Sequence, residues 1–130
     1  MQDYVLYIVF AIFLIFIGYR KISFSLNKNI KHLSSEEVFK FIQKNKDLTI
    51  LDVRTKQEFA SGHIPGSKSF PVGEIASRIN ELTKYKDKPI LVYCASGSRS
   101  PSAVRILLKN SFSNLYHMKR GLRDWHQSLK

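Results

Sequence analysis

The sequence predicts an α/β fold, a mostly parallel sheet flanked by helices, with a separate apolar helix ahead of it. Three observations lead there. Short β-rich runs alternate with helical patterns from residue 30 onward, the arrangement that folds into a sheet covered by helices. One of these runs, Ile90-Leu91-Val92-Tyr93, is apolar without interruption, as expected of a strand buried on both faces of a parallel sheet. The first residues read differently: Tyr4 to Tyr19 carry no formal charge.

As a helix those 16 residues span about 24 Å, slightly less than a hydrocarbon core. Arg20 and Lys21 can snorkel and extend the usable length. Tyrosines 4, 7 and 19 suit the interfacial belt. A buried core helix would be apolar on every face, unusual in so small a domain. A cleaved signal peptide is the stronger rival, since Ser23-Phe24-Ser25 offers small residues. However, Met1-Gln2-Asp3 lacks the basic start of an export signal, and Arg20, Lys21, Lys28 and Lys31 follow the apolar run. That asymmetry predicts an uncleaved anchor over 1–22 in an inner or plasma membrane, N-terminus out and C-terminal domain in the cytoplasm. A tether over 23–29 and a domain over 30–130 complete the expected organisation.

Within the domain, Ile30-Lys31-His32 reads as an edge strand. Ser34 and Glu37 form a capping box that opens a helix carrying Val38, Phe39, Phe41 and Ile42, ended by Asn45 and Asp47. Thr49 to Val53 is the second strand. Thr55 and Glu58 repeat the capping box before a short helical turn. Pro65-Gly66 suits a type II turn, Lys68 to Phe70 a third strand, and Gly73 to Leu82 a helix with Ile75, Ile79 and Leu82 on one side. After the strand that ends at Cys94, Ser100 suits an N-cap and Pro101 the first position of a helix reaching Lys109. Leu115 to Met118 is a fifth strand, and Gly121 precedes a final helix with Leu122, Trp125 and Leu129.

Cys94 is the only cysteine, which excludes an internal disulfide, a CxxC pair and a cysteine-rich metal site. Histidines 32, 63, 117 and 126 lack metal-ligand spacing, and no phosphate-binding or dinucleotide-binding glycine pattern occurs. Neither metal nor cofactor is expected. The formal charge of +11 fits an anionic substrate or anionic lipid. The lysines are dispersed and no RNA-binding signature interleaves them, so nucleic acid is not an expected partner.

Cys94 ends a strand, precedes the small residues Ala95-Ser96-Gly97-Ser98, and stands before a helix start. Loop amides and the helix dipole there favour thiolate over thiol, as does Arg99 nearby. This is a nucleophile's setting, at the carboxyl ends of strands where such sheets bind ligands. The competing reading is a packing cysteine, against which the intact loop speaks.

Three motifs stand in order: Leu51-Asp52-Val53-Arg54 with Glu58-Phe59 and Gly62-His63-Ile64-Pro65-Gly66-Ser67, then Tyr93-Cys94-Ala95-Ser96-Gly97-Ser98-Arg99-Ser100, then Gly121-Leu122-Arg123-Asp124-Trp125. Together they resemble a single-domain rhodanese-like sulfurtransferase, membrane-anchored form, over residues 31–128. The resemblance implies a five-stranded, largely parallel sheet and a reaction that moves a sulfane sulfur. Cys94 would be the nucleophile and persulfide carrier, and Ala95, Ser96, Gly97, Ser98, Arg99 and Ser100 the active loop. An anionic donor (thiosulfate or a protein persulfide) and an external thiol or cyanide-like acceptor are the implied partners, because the chain has no resolving thiol. Cysteine phosphatases and arsenate reductases place their loop arginine one position further from the cysteine than Arg99 stands from Cys94. The shorter ring suits a sulfur atom rather than a tetrahedral phosphoryl group. A non-enzymatic sulfur carrier or regulatory binding module at the membrane is the other alternative.

Supporting residues read more simply as structural. Asp52 and Arg54 suit an ion pair at a strand end, with Glu58 as a partner for Arg54. His63 suits a turn brace, and Trp125 a core aromatic. Arg99 either binds the donor's anion or locks the loop onto a carboxylate.

Overall fold

The computed structural model describes residues 2–130, with nothing assigned to the side chains of Ser25 and Leu26. Helix α1 (Gln2–Leu26) is followed by β1 (Ile30–Leu33), α2 (Ser35–Lys44), β2 (Thr49–Asp52), α3 (Lys56–Ser61) and β3 (Lys68–Ser69). Then come β4 (Ile90–Tyr93), α4 (Ser100–Lys109) and β5 (Leu115–Met118). The five strands form one sheet in the order β1-β5-β4-β2-β3, and every neighbouring pair is parallel. β4 is the middle strand, so the loop that leaves its end emerges at the centre of the sheet.

Strand alternation divides the core into two layers. Leu51, Val53, Ile90, Val92, Cys94 and Leu115 face Ala103, Val104 and Leu107 of α4, together with Ile75 and Leu82. Ile50, Leu91, Tyr93 and Met118 face Val38 of α2, with Leu122 and Trp125 packed against them. Cys94 therefore belongs to the α4 layer and Tyr93 to the α2 layer. A side chain's face is fixed by its parity, and that decides which groups meet the sulfur.

Both capping boxes form. Ser34 Oγ accepts from the Glu37 amide and Glu37 Oε1 from the Ser34 amide, and Thr55 and Glu58 do the same. Ser67 N donates to the Ile64 carbonyl across Pro65-Gly66, with Gly66 at φ 85, the backbone a type II turn requires.

Several segments differ from expectation. The stretch expected as a helix over 73–82 is two 3-10 segments, Val72–Glu74 and Ile79–Tyr85, joined by a turn. Ile75 and Leu82 are nonetheless buried in the α4 layer, and a 3-10 turn satisfies nearly the same apolar spacing as an α-turn. The final helix is likewise a 3-10 segment, Gly121–Asp124, and Trp125 at its end is extended. The tether expected over 23–29 is helical through Leu26. Phe24 packs on the α4 layer and its ring meets His32 and His117 edge-on, at centroid distances of 5.1 and 5.5 Å.

From Gln2 to Phe24, α1 is long and apolar enough to cross a membrane. Its large side chains from Tyr4 to Tyr19 are exposed on every side, so it is no core helix of the domain.

Candidate active site: a sulfur ringed by amides

β4 delivers Cys94 to the carboxyl end of the sheet, where residues 94–99 turn back toward α4. Gly97 adopts φ 88, a conformation other L-residues resist. Its missing side chain also lets the Lys119 carbonyl lie against the loop, where a Cβ would collide with it. The turn directs the Gly97 amide at the sulfur, 3.0 Å away. Gly121, at φ 60, approaches the other side so closely that a Cβ there would strike the main-chain carbonyl of Cys94. The amides of Leu122 and Arg123 then donate to the carbonyls of Cys94 and Ala95, at 3.1 and 3.0 Å. The carbonyls of Cys94 and Ala95 are thus held from outside, while the Gly97 amide faces in.

Cys94 is buried, with 0% of its surface exposed. Burial alone pushes its thiol up. The Ser100 hydroxyl and the amides of Ser100, Arg99 and Ser96 outweigh that, and the thiol lies below its ordinary value. Hydrogen bonds to the charged form stabilise it. The site favours anionic sulfur, and among the described residues no cationic side chain is bonded to it.

Ser100 does not cap the helix as expected. Arg99 takes the cap position without a side-chain bond, and Ser100 is the first residue of α4. Its hydroxyl is needed elsewhere: Oγ lies 3.4 Å from Cys94 Sγ and 2.6 Å from His117 Nε2. Ala95, Ser96 and Ser98 form the rest of the loop, Ser96 and Ser98 exposed and their hydroxyls 3.3 Å apart.

The Arg99 side chain pairs with α3. Its fork grips Glu58 on α3, Nη1 to Oε1 at 2.7 Å and Nη2 to Oε2 at 2.9 Å, and this holds the Glu58 carboxyl down at about 2. Glu58 is thus the partner of Arg99 and not, as expected, of Arg54. Arg54 precedes the cap of α3 and turns inward.

There Arg54 donates to Asp52 through Nε and Nη2, the latter at 2.6 Å, and to the Gly62 carbonyl at 2.6 Å. Tyr93 Oη donates to Asp52 Oδ2 at 2.7 Å and accepts from the Ile64 amide at 3.1 Å. Burial pushes the Tyr93 phenol up, so it stays a donor. Asp52, Arg54 and Tyr93 form one buried network on the α2 side, away from the sulfur. His63 Nδ1 is bonded to the Phe59 carbonyl at 2.8 Å and its ring stacks on Phe59. Trp125 is half-buried and meets Phe39 edge-on.

His117 and His32 escaped the sequence reading. Their Nδ1 atoms lie 3.2 Å apart, behind Ser100. The one signal was positional, since each histidine stands third in its strand, and it becomes legible only once β1 and β5 are known to be neighbours.

A family model for the rhodanese-like domain matches residues 34–128. The chain is 34% identical over 123 residues to the protein YqhL of Bacillus subtilis, covering 95% of this chain and 94% of that one. It is 36% identical to the putative sulfur carrier protein YrkF of the same organism, covering 75% of this chain and 51% of that one, so it spans about half of that relative. The thiosulfate sulfurtransferase GlpE of Pseudoalteromonas translucida is 33% identical, over 73% of this chain and 88% of its own. A rhodanese-like domain protein of Staphylococcus aureus superimposes with a TM-score of 0.70 at 29% identity, over 77% of this chain and 96% of that one. With a parallel five-stranded sheet, a cysteine loop at its centre and sulfur-handling relatives along most of its length, the chain belongs to the rhodanese-like domain family.

Proposed function

We propose that this chain is a membrane-anchored sulfurtransferase that moves a sulfane sulfur through a persulfide on Cys94. The observation that carries the reading is the ring of amides around Sγ, with the Gly97 amide at 3.0 Å and the thiol held below its ordinary value. The Cys94 thiolate attacks the outer sulfur of an anionic donor such as thiosulfate. The donor's sulfur–sulfur bond breaks, sulfite leaves with the electron pair, and Cys94 becomes a persulfide. The loop amides of Ala95, Ser96, Gly97, Ser98 and Arg99 supply fixed dipoles to the persulfide's charge. An external thiol or cyanide then attacks the outer sulfur and releases the thiolate. The acceptor comes from outside, because the chain has one cysteine. The net charge of +11 raises the local concentration of anionic donors.

Arg99 is committed to Glu58 and serves to lock the loop. Asp52, Arg54 and His63 hold the backbone around it. A sulfur-carrier role, in which a protein persulfide is the donor, is the second reading, favoured by the likeness to a putative sulfur carrier. The helix Gln2–Phe24 anchors the domain at the cytoplasmic face of an inner or plasma membrane.

The test uses the full chain in detergent micelles, incubated with thiosulfate or with a protein persulfide. Mass spectrometry is expected to find one added sulfur atom on Cys94, discharged by cyanide. Loading by the protein persulfide alone favours the carrier reading. No adduct from either donor overturns both.

A further inference from the structure

β1 and β5 run in parallel register with Ile30 opposite Leu115 and His32 opposite His117. Alternation sends both histidines to the face that carries Ile30, Leu115 and Cys94. The result is a line of polar atoms running from the nucleophile to the edge strand. Cys94 Sγ is 3.4 Å from Ser100 Oγ, which is 2.6 Å from His117 Nε2, and His117 Nδ1 is 3.2 Å from His32 Nδ1. Cys94, Ser100 and His117 are buried and His32 is half-buried. Phe24, from the last turn of α1, covers both imidazoles with its ring.

A buried polar chain is costly unless each member is satisfied, and here His32 Nε2 is buried without a hydrogen-bond partner among the described residues, a cost that apolar side chains packing β1 on β5 would not carry. Its hydrogen-bond roles admit two consistent orders. In the first, the thiol donates to Ser100 Oγ, the Ser100 hydroxyl donates to His117 Nε2, and His117 Nδ1–H donates to His32 Nδ1. In the second, every bond is reversed, and the Ser100 hydroxyl donates to a sulfur that has lost its proton.

We propose that Ser100, His117 and His32 form a proton wire that withdraws the Cys94 proton when the sulfur acts as nucleophile and returns it when the sulfur is released. The inference deepens the sulfurtransferase reading and rests on Cys94 as its nucleophile. In the forward step the Sγ–H bond breaks and its electron pair stays on sulfur. That proton passes to Ser100 Oγ, the Ser100 proton to His117 Nε2, and the His117 Nδ1 proton to His32 Nδ1. His32 keeps its Nε2 proton and becomes the imidazolium. Burial, and His32 beside it, hold His117 down at about 4. Charge therefore passes through His117 without resting there and reaches His32 at the edge strand.

The other charged groups around the wire are fixed. Arg99 on the loop is paired with Glu58 of α3. Arg105 on α4 lies over the Phe24 ring, with Arg20 of α1 near it. Asp52 and Arg54 of β2 are bonded to each other and to Tyr93 of β4 on the opposite face. Glu58 and the arginines keep their charge through the neutral range and do not take up the proton.

The test follows alkylation of Cys94 by iodoacetamide across the pH range, in the full chain in detergent micelles. His117→Gln keeps a polar atom near Ser100 but accepts no proton. It is expected to lose about tenfold or more in rate near pH 6 and to match the unmodified chain near pH 9, where the thiol ionises without help. A His117→Gln profile that overlays the unmodified one overturns the wire. Alkylation needs no sulfur donor, so the wire can fail while the persulfide forms, or hold while it does not. Imidazole nitrogen-15 shifts in the unmodified chain give a readout independent of any variant's folding. His117 Nε2 is expected to change from acceptor to protonated as Cys94 ionises. An unchanged His117 tautomer across that transition overturns the proposal equally.

Discussion

Arg99 and Glu58 stand 41 residues apart and meet fork to fork, by two bonds of 2.7 and 2.9 Å. One ends the loop around the sulfur and the other lies in the first turn of α3, so the pair staples loop to helix. About a third of each side chain is exposed, 34% and 35%. Solvent screening therefore limits its worth to about 1 kcal/mol or less.

The pH dependence of that staple has a definite sign. Glu58 is held at about 2, below its unfolded value of about 4.3. Its contribution is complete above about pH 4.5 and vanishes as pH falls toward 2. Glu58→Gln is expected to lower stability at pH 7 and to make no difference near pH 2, measured by urea denaturation at both. An equal loss at both ends contradicts the assignment.

Asp52 and Tyr93 are bonded to each other at 2.7 Å and are expected to act on stability rather than on the sulfur. Asp52→Asn leaves the buried Arg54 charge underpaired and is expected to cost about 3 kcal/mol. Tyr93→Phe removes one bond to the carboxylate and costs about 1–2 kcal/mol. Neither is expected to move the pH midpoint of Cys94 alkylation. A shifted midpoint would place this network in the reaction.

Gly97 and Gly121 both sit at positive φ with backbone in the way of a side chain. Alanine at either position is expected to destabilise by about 2–4 kcal/mol, combining backbone strain with overpacking. Calorimetry checks this, and a melting temperature unchanged in both variants would refute the close approach.

Cys94→Ser is expected to keep the fold, since the side chains are nearly equal in size, while losing all sulfur uptake. Intact mass after thiosulfate treatment decides it. An adduct remaining on the serine variant would point to a different nucleophile.

The proposed anchor has its own measurement. A tag after Lys130 is expected to resist protease in intact cells and to be cleaved once the membrane is opened, as the positive-inside rule requires. Cleavage in intact cells reverses the topology.

Much of this architecture is legible in the residues. The uninterrupted apolar run at Ile90 gives the central strand, two capping boxes give two helix starts, and Pro65-Gly66 gives its turn. What stays hidden is what depends on long-range pairing. Apolar spacing at Ile75, Ile79 and Leu82 fits α and 3-10 turns alike, so helix type is not encoded there. Glu58 reads as a partner for Arg54, whereas chain topology delivers Arg99. Ser100 resembles a cap because serine before proline does so, yet the sulfur and His117 claim its hydroxyl. The histidine pair depends on β1 lying beside β5, which no local pattern states.

Gly121 collides, were it any other residue, with the main-chain carbonyl of Cys94 and not with its thiol. The constraint on Gly121 therefore survives the loss of the cysteine. In a descendant that had exchanged Cys94 for another residue, the glycine at 121 would persist, because it guards the shape of the loop whether or not the loop still reacts. A glycine there marks the loop's shape, and the chemistry is to be judged from Cys94 itself.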